Sequence, residues 1–445
     1  MIENILNERG NCIFCRVDIM RLFRKRRTNY SYDYYSSYNS RRKRLRVDRA
    51  VIAVVAGVLL VLAIVVYLNF NRIQFLMKGY SWSTTSEIIR SFDNDEEKEL
   101  LSHDKMNNIL KWIDSSNKVE LYDDYERYYK LSKKLGYDLE HEEVVEFIDD
   151  VFVGQLNRLS QYGYTNKIVW DLLEDGASKS DLLFLIENQL KNEDTEPFRK
   201  VDGYKITKML DYMAKYNEIK DYNYAVNIVN YPFIISSNGK PSKNYIIANP
   251  DNILTLVKKG FYLSEDYEPK DLVEPESEYV APDCGNRQLR KDAYEAMVKM
   301  IKAAEKEDLH LLLNSGYRSY DEQTRIYQET EQKYGGAYAA EYVATPGASE
   351  HQTGLGLDMT SQSVVDKQRL VFSDTAEYKW VIANCQKYGF VIRFEQGTDG
   401  ITGISHEPWH LRYVGEDVAR DMIEHNWTFE EYCLYRNVIP EFTKD

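Results

Sequence analysis

Histidines and carboxylates gather in the last fifth of this chain, where they could support metal-assisted hydrolysis. Four of the seven His fall between residues 351 and 425. His351 and Asp358 share the segment SEHQTGLGLD, residues 349–358. A neutral imidazole and a carboxylate are both good zinc ligands. Taken alone, such a pair is more often a surface or capping pair. Glu407 stands three residues before His410 in EPWH. Pro408 argues against a continuous helix, so this is not the helical HExxH arrangement. On an extended or bent segment His410 could bind a metal while Glu407 stays unligated, and hydrolysis needs a free carboxylate beside the metal. Arg318 follows Gly316 in NSGYRSYDEQ, residues 314–323. Its planar guanidinium suits a carboxylate clamp, or else a structural ion pair.

These residues need a scaffold, and the pattern around them is mixed. Leu289, Ala293, Ala296, Met297, Met300, Ile301 and Ala304 fall at helical spacing. Leu309–Leu313, Leu355–Met359, Phe390–Phe394 and His410–Val414 have strand length and composition. The glycines at 354 and 356 let the chain turn from His351 into a strand ending at Asp358. Residues 320–334 read as a helix, Asp374-x-x-Glu377 opens one to Tyr388, and Thr428-x-x-Glu431 opens the last. The class expected for residues 250–445 is α+β.

Residues 71–240 read as helices throughout. An aromatic follows Gly in MKGY, KLGY, QYGY, VDGY and VKKGF, with Gly at 79, 136, 163, 203 and 260. Glycine can take the left-handed conformation that ends a helix, with the aromatic folding back on the last turn. The irregular spacing suggests degenerate helical hairpins rather than a strict solenoid. Thr84-x-x-Glu87 resembles a capping box. No catalytic constellation appears here, and a helical spacer or a partner-binding arm is expected.

The formal net charge of −14 is unevenly spread over the 445 residues. Residues 1–49 carry 13 Lys/Arg and 5 Asp/Glu, residues 50–70 carry no charge, and the remainder carries −22. An acidic body argues against nucleic acid as the main partner. Residues 50–70 read AVIAVVAGVLLVLAIVVYLNF. At helical rise they span about 30 Å, the hydrocarbon thickness of a bilayer. No small-x-small cleavage pattern closes the run, which predicts an uncleaved transmembrane anchor. Arg41, Arg42, Lys43, Arg44, Arg46 and Arg49 crowd its N-terminal side. This predicts a cytoplasmic head at 1–49, basic, Tyr-rich and disordered, with 71–445 outside the cell. Cys12 and Cys15 lack a second pair to complete a zinc site. Cys284, Cys385 and Cys433 allow at most one disulfide.

The order and wording of SGYRSYDEQ, SEHQTGLGLD and EPWHLRYVG resemble the zinc D-alanyl-D-alanine carboxypeptidases of the vancomycin-resistance type. The resemblance runs from about Tyr262 to about Tyr435 and leaves residues 1–240 uncovered. It implies the small zinc-peptidase fold shared with the Hedgehog signalling domain. By position it implies Zn2+ on His351, Asp358 and His410, with Glu407 as general base. It implies Arg318 on the terminal carboxylate of the peptide, and Gln323 and Ser349 lining the substrate. The implied substrates are peptidoglycan stem peptides ending in D-Ala. His406 departs from the family pattern and is expected to be exposed. Two alternatives stay open: an L,D-carboxypeptidase trimming tetrapeptide stems, and a non-catalytic cell-wall-binding domain.

Overall fold

The computed structural model of the protein describes residues 38–443, with side chains from Ala50 onward except that of Glu341. Cys12, Cys15 and the head up to Ser37 lie outside the described residues. The first helix runs Tyr38–Leu68. Residues 38–49, expected to lack regular structure, are therefore helical. Arg, Lys and Leu are good helix formers, and the apolar run propagates the helix once nucleated. Ala50–Leu68, with a mean hydropathy of 3.2, is the one helix among the described residues long and apolar enough to cross a membrane. It ends where the Asn69 side chain donates to the Val65 carbonyl at 2.9 Å.

The chain divides into two compact units between Tyr129 and Lys130. In the first, short helices at Phe70–Met77, Trp82–Ser91, Asn94–Ser102 and Ile109–Ser115 bury Phe75, Ile88, Leu100 and Trp112. The helix at Trp82 is capped by Ser81, whose hydroxyl accepts from the Thr84 N–H at 3.1 Å. The capping box expected at Thr84 is thus displaced, because Ser81 is the residue with extended backbone.

The second unit begins with helices alone, and no strand occurs among the described residues before Tyr245. At Gly136 and Gly163, φ is +85° and +86°. Tyr137 N–H reaches back to the Ser132 carbonyl at 2.8 Å and Tyr164 N–H to Leu159 at 3.2 Å. This is the Schellman closure that only a left-handed residue permits. Gly260 does not follow the pattern. It lies in a tight turn where Lys258 and Phe261 bond to each other's backbone, with no helix before it.

The region from Leu311 to Tyr413 is built on a four-stranded antiparallel sheet. Its strands are β1 (Leu311–Ser315), β2 (Gly356–Ser361), β3 (Phe390–Phe394) and β4 (Glu407–Tyr413), in the order β1-β2-β4-β3. Helix α1 (Lys291–Glu305) buries Ala296, Met297, Met300 and Ile301 in one cluster with Leu313, Leu357, Phe390 and Leu411. Leu289 is not part of this helix; it pairs with Val273 in a two-residue strand, and the helix starts only after Arg290. Helix α2 spans Tyr320–Tyr334 as expected. Helix α3 (Ala376–Asn384) is capped by Thr375 rather than Asp374, and helix α4 (Phe429–Arg436) carries the predicted box of Thr428 and Glu431. A second buried cluster joins Ile228, Phe233 and Ile234 to Leu256, Phe261 and Phe429. The core therefore crosses the boundary expected between the helical region at 71–240 and the α+β region at 250–445. Cys284, Cys385 and Cys433 are buried and free.

Candidate active site and metal centre

Local backbone decides how the site is assembled. The turn after β1 passes so close to residues 286–288 that a Cβ on Gly316 would lie 2.4 Å from the Gln288 carbonyl oxygen. That close passage leaves the Gly316 carbonyl to accept from His351 Nδ1 at 2.7 Å. His351 sits in a short 3-10 turn, Glu350–Thr353, which ends at Gly354 with φ +66°. The strand that follows starts at Gly356 and runs on to Ser361, so Asp358 lies inside β2 rather than at its end. Asp358 pairs directly with His410 across β2 and β4.

Glu407 and His410 pose a geometric problem. In an unbroken strand, residues three apart face opposite ways. Here the β3–β4 register passes from Ile392↔Leu411 to Phe394↔Glu407, so one residue of β3 is matched by three of β4. The bulge re-aims the chain, and both Glu407 and His410 line one cavity of about 410 Å³. Pro408, which has no N–H to offer the ladder, occupies this irregular stretch.

His351, Asp358 and His410 bring one ligand atom each within 4.8 Å of one another, a group able to hold a metal ion. His410 Nδ1 lies 2.9 Å and His351 Nε2 lies 3.5 Å from Asp358 Oδ1. With His351 Nδ1 donating to Gly316, its Nε2 lone pair is free to face the centre. Burial depresses the His351 pKa, only partly opposed by Asp358, which favours the neutral form a ligand needs. Burial also opposes ionisation of Asp358, but His351 and His410 outweigh it and hold the carboxyl well below its usual range. His410 is pulled down by burial, yet Asp358 and Glu350 push it up to about 9.

Glu407 is held differently. Burial raises its pKa above the ordinary value, against the pull of His410. A carboxylate so placed is a stronger base than one in water. Arg318 is half-buried, and burial lowers its pKa against Asp358, Glu322 and Glu407. Its Nη1 donates to Gln323 Oε1 at 2.8 Å and its Nη2 lies 3.4 Å from Ser315 Oγ, while Nε has no partner. Gln323 is fixed in turn by donating to the Ala344 carbonyl at 2.7 Å. Gln323 and Ser349 both line the cavity. His406 is exposed, with Nδ1 3.0 Å from the Phe394 carbonyl oxygen. Three features escaped the sequence reading: the Gly316 carbonyl, the buried Glu350 beside His410, and Trp409 on the cavity wall. Glu350 adjoins His351 in sequence, but nothing in the pattern says that its carboxylate turns to the other histidine.

Residues 286–416 match the family model described as VanY: D-alanyl-D-alanine carboxypeptidase. The chain is 45% identical over 187 residues to the putative carboxypeptidase YodJ of Bacillus subtilis (strain 168), covering 42% of this chain and 68% of that protein. A solved structure of the LdcB LD-carboxypeptidase matches 44% of this chain and 92% of that one at 42% identity, with a TM-score of 0.41. The bifunctional D-Ala-D-Ala dipeptidase and D-Ala-D-Ala carboxypeptidase VanXYC of Enterococcus gallinarum is 34% identical over 188 residues, covering 41% of this chain and 95% of that protein. Nearly the whole of a relative one-third identical is thus contained in this chain, which belongs to the VanY family of D-alanyl-D-alanine carboxypeptidases and is a zinc-dependent peptidase.

Proposed function

We propose that this chain is a membrane-anchored carboxypeptidase that removes the C-terminal D-alanine from peptidoglycan stem peptides. The observation that carries the reading is the convergence of the His351, Asp358 and His410 donors with Glu407 and Arg318 on one cavity. His351, Asp358 and His410 would hold Zn2+, which would supply Lewis acidity for activating water and polarising the scissile carbonyl. Glu407 takes a proton from the attacking water and returns it to the leaving amine. Arg318 binds the free carboxylate of the terminal residue, so only that residue is removed. Gln323 braces the guanidinium from behind, and Ser349 lines the bound peptide.

The peptidase domain is assigned to 250–445, in the small zinc-peptidase fold shared with the Hedgehog domain, with Ile228, Phe233 and Ile234 packed into its core. The apolar helix is its anchor. The arginines before that helix set residues 1–49 in the cytoplasm and the peptidase outside, where peptidoglycan lies. The arm at 71–240 spaces the peptidase from the membrane or docks a protein partner.

The test uses the purified full chain and muropeptides with five- and four-residue stems. Release of D-Ala from the five-residue stem, abolished by a chelator and restored by zinc, is expected. Cleavage of the four-residue stem alone would replace this reading with the L,D-carboxypeptidase.

Arg318→Ala is expected to weaken substrates with a free C-terminus by about 2–5 kcal/mol, the loss when one partner of a buried charge pair is removed. Arg318→Lys should recover only part of this, because an ammonium lacks the planar fork. Comparison of free and amidated peptides checks the assignment. A variant that keeps the wild-type preference for the free carboxylate would show that another residue binds it.

A further inference from the structure

Five charged side chains are buried together behind the metal group. Arg393 donates through Nη1 and Nη2 to both oxygens of Glu430, at 2.9 and 2.7 Å, and through Nε to Glu350 Oε1 at 2.9 Å. Lys258 lies 3.3 Å from Glu430, and Arg412 lies 3.3 Å from Glu350 Oε1. All five are less than one-tenth exposed. Buried ion pairs contribute little to stability over apolar residues of the same size, so stability alone is a poor reason for such a chain.

Its inner end supplies a better reason. Both arginine contacts with Glu350, the Arg393 hydrogen bond and the Arg412 ion pair, fall on Oε1. The other oxygen, Oε2, is buried with no hydrogen-bond partner. It faces His410 Nε2, 3.5 Å away, at the outer edge of hydrogen-bond range, and that nitrogen also lacks a partner. The other ring nitrogen, Nδ1, points to Asp358. We infer that Glu350 is a positioning residue for His410: it holds the proton on Nε2 and so turns the Nδ1 lone pair to the metal. The arginines anchor the carboxylate on its far oxygen and keep it in place. His351 receives the equivalent service from a backbone carbonyl, at Gly316. A ligand in a β-strand has no such carbonyl at hand when its own strand is paired on both edges, as β4 is.

The inference rests on His410 being a zinc ligand, and its test does not involve substrate. Zinc affinity of the full chain is measured by chelator competition for the wild type, Glu350→Gln and Glu430→Gln. Unfolding of the metal-free forms is followed in parallel. Glu350→Gln should lower zinc affinity by about 10–100-fold, the range for a lost outer-shell partner. Glu430→Gln, which shares the charge chain but does not touch His410, should stay close to the wild type in affinity even where it lowers metal-free stability. Equal affinity losses in the two variants, or none in Glu350→Gln, would overturn the assignment.

A second measurement needs no folded variant. In the wild-type chain labelled with 15N-histidine, His410 should carry its proton on Nε2, and a proton on Nδ1 in the zinc-loaded chain would equally overturn it. Zinc binding that survives His410→Ala unchanged would instead overturn the underlying ligand assignment, a separate result.

Discussion

Glu407→Gln will retain zinc and bind peptide, yet lose at least about 10²-fold in turnover, the lower end for general acid–base catalysis. The substitution preserves the size of the side chain and removes its basicity. Glu407 is absent from the group of donors within 4.8 Å of one another, although it lines the same cavity. Removing its charge therefore leaves the metal donors untouched. Burial raises the Glu407 pKa, so the native carboxylate holds a proton more readily than an exposed one and can hand it on. An amide can do neither. Metal content and turnover measured on one preparation decide the matter. A zinc-free Glu407→Gln, or one that keeps most of its turnover, would remove Glu407 from the role of unligated base.

The opposite pattern is expected of the ligand positions. His351→Ala, Asp358→Ala and His410→Ala should each lose metal first and activity as a consequence, down to background. Three protein donors are the minimum that a catalytic zinc site keeps, with the remaining position open for chemistry. Loss of one leaves two, and the Asp358 carboxylate is also the group toward which both imidazoles turn, at 2.9 and 3.5 Å. Asp358→Asn is the more discriminating variant. It keeps the shape but removes the charge that balances the cation, so zinc should bind more weakly while the fold stays intact. Zinc content by elemental analysis, with circular dichroism as the control for folding, is the measurement. Full occupancy in all three alanine variants would refute the ligand set.

Much of this was legible in the residues themselves because it depends on local chemistry. The uncharged run at 50–70 announces a membrane-length helix, and Ala50–Leu68 is one. The period of Ala296, Met297, Met300 and Ile301 places them on a buried helix face, where they lie. The Gly–Tyr pairs at 136 and 163 close helices because only glycine takes φ near +85° without strain. The boundaries were less legible. Ser81 and Thr375 cap their helices instead of Thr84 and Asp374, since several neighbouring residues had side chains able to accept the same bond.

What tertiary structure alone decided is the direction of each side chain. The spacing of Glu407 and His410 marks two functional groups, but strand alternation sets them on opposite faces. Only the mismatch of one residue on β3 against three on β4 brings both to the cavity. In the same way, SEHQ displays Glu350 next to His351, yet the carboxylate reaches His410, sixty positions along the chain, because β2 and β4 are neighbours in the sheet. Residue types are a property of the chain and carry their chemistry wherever they go. Register, bulges and partner choice arise from long-range pairing, which no local pattern encodes.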